Sequence, residues 1–405
     1  MNILGTNKND TLIGSTLADL IQGYAGNDVI SAGLGNDQIF GGDGDDKLYG
    51  QPGDDFLKGA DGADLLDGGD GNDGLDGGPG NDVLRGGSGN DRLDAKDGND
   101  VVDGGSGHDM IVAGIGDDTI YGGAGRDYLD AGAGNDTIYA GDDADGFLDE
   151  INPATGLLTN QAVSGGDGND IIHGEGGNDA LKGEAGDDRV YGGDGNDRVD
   201  GGDGHNQLDG GAGNDILSAE WGNDQLLGSA GDDLIEAGDG NDLLNGGADD
   251  DILTGEGGSD VMLGGSGLDR LQGGEDDDQL FGGNDADALF GDAGADLLFG
   301  ELGADRLWGG QGADRFVFKG AGALDGGDRI DDFQDGIDRI VLEKLGVTQF
   351  SNSGSPGTVF AQDQADGDVA LWVTTGDGVR FGIEIGDPSG TLTAANFTVA
   401  DFLFI

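Results

Sequence analysis

An aspartate falls every ninth residue along most of this 405-residue chain. After Asp10, one series runs Asp19, Asp28, Asp37, Asp46, Asp55, Asp64, Asp73, Asp82, Asp91, Asp100, Asp109, Asp118, Asp127, Asp136 and Asp145. A second runs Asp170, Asp179, Asp188, Asp197, Asp215, Asp224, Asp233, Asp242, Asp251, Asp260, Asp269, Asp278, Asp287, Asp296, Asp305 and Asp314, with Asn206 at the one failed register. Glycines precede nearly every one, as in "GGDGDDKLY" (41–49). Carboxylates beside glycine turns, whose carbonyls are sterically open, form a ligand set for a hard cation. There is no cysteine, so neither a thiolate site nor a disulfide is possible. His108, His173 and His205 fall at unrelated repeat positions and read as solvated substitutions, which leaves transition metals poorly served.

Composition points the same way. Asp plus Glu number 83 against 18 Lys plus Arg, a formal charge of −65. Eighteen scattered basic residues make no stripe for phosphates, which argues against nucleic acid. Low hydrophobicity with this net charge is the signature of a disordered chain unless something neutralises it. No apolar run is long enough to span a membrane, and the N-terminus carries no signal-peptide pattern. There is no HExxH and no GxSxG; "GDGNDG" (69–74) matches a dinucleotide fingerprint but lies inside a repeat with no helix after it. These absences argue against an enzyme.

The elements that must position the aspartates follow from the same period. Two residues after each register aspartate the side chain is apolar, from Leu12, Ile21 and Ile30 to Leu307 and Phe316. The unit is GGxGxDxUx, with U apolar. It resembles the RTX (hemolysin-type calcium-binding) repeat over about residues 5–318. The resemblance implies calcium as the ligand and an all-β fold. That fold is a right-handed parallel β-roll, or solenoid, in which "GGxGxD" turns, "xUx" forms a short strand and two repeats complete one coil. Strand alternation agrees: the middle residue of each triplet points opposite to its neighbours and is always apolar, so it faces inward. Repeats 18 residues apart then stack, placing Asp28, Asp46 and Asp64 in one column and Asp19, Asp37 and Asp55 in another. Carboxylates at the roughly 4.8 Å strand spacing repel unless a cation lies between them. Calcium accepts irregular cages of 6–8 oxygens, whereas magnesium demands an octahedron. Bridging each column gives roughly 29 sites, or about +58 of charge at one ion each. The predicted outcome is a chain unfolded without calcium and folded with it.

Departures grade the sites. Asn206 keeps an oxygen and loses a charge. Asp249, Asp276 and Asp285 replace the fourth-position glycine and either add ligands or strain the turn. "AEWGND" (219–224) places Trp221 in a turn, and the first two turns read as an N-terminal cap. The register fails between blocks, so the expected layout is a roll block over 1–146, an insertion over 147–164, a second block over 165–318 and a cap over 319–405. The insertion reads as a loop on one continuous roll or a linker between two; "DDADG" (142–146) lacks the closing glutamate of an EF-hand loop.

"GGDRIDDFQDGIDRIVLEKLG" (326–346) resembles the segment after the rolls of RTX proteases and lipases. Runs such as "DVALWVTT" and "VRFGIEIG" read as antiparallel strands. The terminal "ADFLFI" is similar to the family's type I secretion signal, which implies export by that machinery to the outside of the cell. Phe281, Phe290, Phe299 and Trp308 take outward positions in the last four repeats, either packing under the cap or binding a sugar or other partner. The functional expectation is a secreted calcium-binding structural or interaction protein at a surface or matrix, with polysaccharide or a cell-surface partner as its expected contact. The alternative is the non-catalytic module of an extracellular epimerase, protease or lipase.

Overall fold

The computed structural model describes residues 1–141, 147–151, 158–161, 163–320, 327–351, 354–365, 367–386 and 391–405. It divides into two compact units, Met1–Gly211 and Ala212–Ile405. Among the described residues no helix is long and apolar enough to cross a membrane.

In the first unit, strands 18 residues apart pair in parallel: Lys47–Pro52 lies on Leu65–Asp70 with Leu48 opposite Leu66, and Gln38–Asp43 on Phe56–Asp61 with Ile39 opposite Leu57. Alternate repeats therefore build two sheets, and the always-apolar position fills the space between them. Ile30, Ile39, Leu48, Leu57 and Leu66 are all fully buried. The two-fold alternation of a strand makes this unavoidable once one position in nine is reliably apolar. Most strands are six residues rather than the expected three, because pairing runs on into the turn: Gln51 lies opposite Gly69 and Pro52 opposite Asp70.

Pairing crosses the interruption of the register. Asp130 pairs with Ser164 and Gly132 with Gly166, while Ile138 pairs with Ile172. Within the insertion, Phe147–Ile151 and Leu158–Gln161 form an antiparallel pair rather than a plain loop. Phe147, the apolar partner of the Asp145 register, belongs to that pair, and fully buried Val163 lies opposite Leu181. Residues 142–146, and with them Asp145 and the EF-hand-like stretch, lie outside the described residues.

The second unit repeats the coil from Ile216–Ser218 onward, then joins a small β cap. Thr358–Asp363, Val369–Thr374 and Arg380–Ile385 pair antiparallel, as the alternating sequence predicts. The roll's sheets continue into the cap with parallel pairing. Arg329–Ile330 lies beside Arg306–Trp308 and then Arg380–Ile385, while Arg339–Glu343 lies between Arg315–Lys319 and Phe402–Phe404. The last strands of the roll are in this way paired by the cap rather than left as edges.

Candidate functional site

Each repeat turn uses its glycines for different reasons. At Gly44, φ is +123°, a conformation that a Cβ would strain. At Gly41 the backbone is ordinary, but a Cβ would meet Asp46 Oδ2 at 2.2 Å and the Gly59 carbonyl oxygen at 3.0 Å. The first glycine therefore leaves a cradle bordered by a carboxylate oxygen of its own turn and a carbonyl oxygen of the next. The same pair borders Gly59, from Asp64 and Gly77.

The aspartates form continuous columns. The N–H of Asp28 donates to Asp46 Oδ1 at 2.7 Å, that of Asp46 to Asp64 Oδ1 at 2.7 Å, and that of Asp64 to Asp82 Oδ1 at 2.8 Å. Asp19, Asp37 and Asp55 run the same way in the other column. The interruption is bridged, Asp136 donating to Asp170 Oδ1 at 2.7 Å. In the second unit the series includes Asp233 to Asp251 and Asp278 to Asp296. Apart from Asp145, all the expected aspartates are buried, Asp28 and Asp296 completely.

The second carboxylate oxygen is what the columns leave open. Oδ2 of Asp28, Asp46, Asp64, Asp82, Asp242, Asp260 and Asp278 is buried without a hydrogen-bond partner. A buried acceptor left unmatched costs about 1–3 kcal/mol, and more when charged. Burial, and after it neighbouring like charges, push several column carboxyls up: Asp46 to about 6, Asp64 and Asp82 to about 7, Asp278 and Asp287 to about 8. Asp19 is the contrast. The terminal ammonium of Met1 donates to its Oδ1, Ser15 N–H donates to its Oδ2 at 2.7 Å, and its carboxyl is held below the ordinary value. The lysine ion pairs Lys58–Asp76 and Lys182–Asp200 fall instead at the outward third position of the strand.

These residues fit a hard cation: orphaned carboxylate oxygens, glycine carbonyls opening into the same cradle, and no thiolate. Among the described residues no three acidic, His or Cys side chains converge on one point. Any ion must therefore take part of its shell from the backbone, as calcium readily does.

Several features escaped the sequence reading. Where it is asparagine, aspartate or histidine, the residue before a register aspartate builds a second ladder in the opposite direction: Asn90 N–H donates to Asn72 Oδ1 at 2.7 Å, and His108 N–H to Asn90 Oδ1 at 2.9 Å. The recurrent Asn or Asp in "GND" and "GDD" is its visible signal. His108 belongs to this ladder, its Nδ1 accepting from Arg126 N–H at 2.9 Å, and His205 occupies the same repeat position. His173 is half-buried between Tyr139 and Tyr191, ring centroids 5.1 and 4.8 Å away, in a stack that begins at Tyr121. The histidines are thus neither unrelated in position nor merely solvated; ladder bonding and outward strand stacking explain two of them. The aromatic pairs Phe281–Phe299 and Phe290–Trp308 stack at 4.4 and 4.3 Å. Asn206 Oδ1 accepts Asp188 N–H at 3.0 Å, and its Nδ2 donates to the Gly202 carbonyl at 3.2 Å, so the amide fills a place the carboxylates leave open. Asp249, Asp276 and Asp285 all adopt positive φ, 73° to 76°, and strain their turns. Trp221 is exposed. The columns also continue past the repeats: Asp338 lies in "GIDRI", a G-x-D-x-U echo of the repeat, and accepts Asp314 N–H.

A comparison with curated proteins finds no match. A subunit of the Azotobacter vinelandii mannuronan C5-epimerase, solved in solution, is 28% identical over 40% of this chain and 91% of its own, with a TM-score of 0.23. A hyperactive, Ca2+-dependent, β-helical antifreeze protein from an Antarctic bacterium is 15% identical over 77% of this chain and 85% of its own, with a TM-score of 0.18. At such scores neither likeness fixes a shared geometry. The family model for the RTX calcium-binding nonapeptide repeat matches residues 4–39, 40–75, 76–111 and 112–147, and further overlapping stretches between 164 and 316. With most of its length matched, the chain belongs to the RTX calcium-binding nonapeptide repeat family.

Proposed function

We propose that this protein is a calcium-folded structural or interaction protein that works outside the cell, its columns taking up roughly 29 ions in carboxylate and carbonyl cages. The ligands would be the column aspartates, one from each of two stacked turns, with carbonyls of the glycine turns. Calcium supplies positive charge where the chain has stacked negative charge. The observation that carries this reading is the run of buried, unpartnered Oδ2 atoms at fixed spacing. Ordering a glycine-rich chain around these charges is costly, and binding to the folded state alone offsets that cost by mass action.

Export of an unfolded chain is consistent with the cap. Phe402–Phe404 is paired into the sheet and Phe402 is buried, so a machinery reading the terminal hydrophobic residues would meet them only before folding. The test is circular dichroism of the chelated full-length protein during calcium titration, with magnesium in parallel. A cooperative gain of β signal with calcium alone is expected. A fully folded chelated protein would sink the proposal.

A further inference from the structure

The first, third and fifth residues of a repeat strand face outward. In the second unit, one sheet carries no charge at these positions from Gln225 to Phe299, across the strands that begin at Gln225, Leu243, Val261, Gln279 and Leu297. Its first positions include Leu243, Val261 and Leu297. Its third positions include Leu263, Phe281 and Phe299, the two rings stacked at 4.4 Å. Its fifth positions include Gly247, Gly265 and Gly283, which leave a shelf beside those side chains. Leu243 is 42% exposed and Leu263 38%. The other sheet of the same coils has no such strip, because Glu236, Glu256, Arg270 and Asp292 stand at its outward positions. In a chain of net charge −65, a charge-free face of aliphatic and aromatic side chains has the composition of an interface core.

We propose that this strip is the interface of a two-fold dimer, with a second copy of the same chain as its occupant. Surfaces dominated by carboxylates meet closely only where none face each other. The strip is also complementary to itself in shape. Turning a second copy over about the roll axis keeps the coils in step and reverses the order of positions along each strand. Third-position side chains then meet their own equivalents, while Leu243 and Val261 stand over the partner's Gly247 and the partner's Gly265. Apolar knobs thus face shelves without side chains, and the two sheets can approach to the roughly 10 Å of packed sheets. Charge agrees at the cap end. Glu301 holds the fifth position beside Gly283, and Arg315 the first position beside Leu297. Both are exposed, and neither has an ion-pair partner among the described residues. In the two-fold arrangement Arg315 lies one coil, about 4.8 Å, from the partner's Glu301, and the pair forms twice. Lys319, in the coil of Arg315, is drawn to Glu343 at 3.9 Å. Such a contact closes on itself rather than growing into a fibre. With about 24 Å of strip, the dimer belongs to the weak, concentration-dependent class.

Sedimentation velocity of the full-length protein in calcium, up to about 1 mM, tests this, with circular dichroism to verify that each variant keeps its β signal. Wild type should pass from monomer to dimer as concentration rises. Leu263→Glu puts a carboxylate at the centre of the strip and should raise the dissociation constant at least about tenfold. Thr254→Glu, at a third position of the other sheet, should leave it unchanged. Arg315→Glu should weaken the dimer as well, and Arg315→Glu combined with Glu301→Arg should restore it. If Leu263→Glu loses its β signal, this charge exchange decides alone. A folded wild type that stays monomeric at about 1 mM overturns the dimer. A dimer indifferent to a folded Leu263→Glu, or one that the charge exchange fails to restore, overturns this face as its interface.

Discussion

In the cap, one cation serves three carboxylates: Arg329 reaches Asp331 at 2.6 Å, Asp368 at 2.9 Å and Glu384 at 2.7 Å. In the repeats, Asp46, Asp64 and Asp82 are more deeply buried, and each leaves an oxygen with no partner. The cap also has an ordinary apolar centre, with Val359, Val369, Leu371 and Ile383 fully buried across antiparallel strands. A roll coil contributes one inward aliphatic residue per nine and spends most of its remaining length on turns. The cap therefore carries its own countercharge and core, while on the proposed reading the repeats would be complete only with ions from solution. That reading divides the sequence into a region whose stability is intrinsic and one whose stability is conditional.

Removing calcium should separate the two regions most strongly. In hydrogen exchange of the chelated full-length protein, repeat-strand amides such as those of Leu65–Asp70 should exchange at near-unfolded rates, while Val369–Thr374 retains protection. Equal loss in both would erase the distinction. The next effect is of pH. Without calcium, burial pushes column carboxyls such as Asp46, Asp64 and Asp278 up to about 6, about 7 and about 8, above the ordinary carboxyl value near 3.9. Between these values the folded state binds more protons than the unfolded one, so apo stability is greatest below about pH 4 and is lost as pH rises through 6 to 8. Metal-stripped protein should gain β signal when taken from pH 8 to pH 5, and calcium affinity should fall over the same interval as protons compete. A metal-free protein least structured in acid would contradict the burial argument.

Two substitutions sharpen the comparison on a smaller scale. Arg329→Met removes the cation shared by Asp331, Asp368 and Glu384 and should cost the cap about 1–3 kcal/mol. Added calcium should not restore the loss, because these carboxylates lie off the columns. Denaturant unfolding at low and saturating calcium reads this directly. Asn206→Asp is the reverse case, restoring a column carboxylate where an amide now bonds to Gly202. It should destabilise the metal-free protein slightly and stabilise the loaded one, by about 1–3 kcal/mol at 10–100 times the site Kd. A variant with unchanged calcium dependence would show that this rung is filled without a charge.

Much of the repeat geometry was legible because it rests on short-range rules. A nine-residue period with one apolar place and a two-fold strand alternation leaves Leu48 and Leu66 nowhere to go but inward, and the stacking of Asp28, Asp46 and Asp64 follows from the 18-residue coil. The continuation at Asp338 was harder to read. The spacing of 24 breaks the period, and only "GIDRI" preserves its trace. The ladder through Asn72, Asn90 and His108 was overlooked because its residue type varies: asparagine, aspartate and histidine can all present an acceptor to the N–H above.

The sequence by itself determined the coil, the inward residues, the two columns and the demand for cations, since each depends on local period and charge. Tertiary structure decided what the period could not encode. It let pairing pass from Asp130 to Ser164 over an insertion, put Val163 in the core opposite Leu181, and brought Asp332 from the cap to the turn of Asp314. These outcomes depend on which strand ends meet in space, and hydrogen bonding between distant segments sets that.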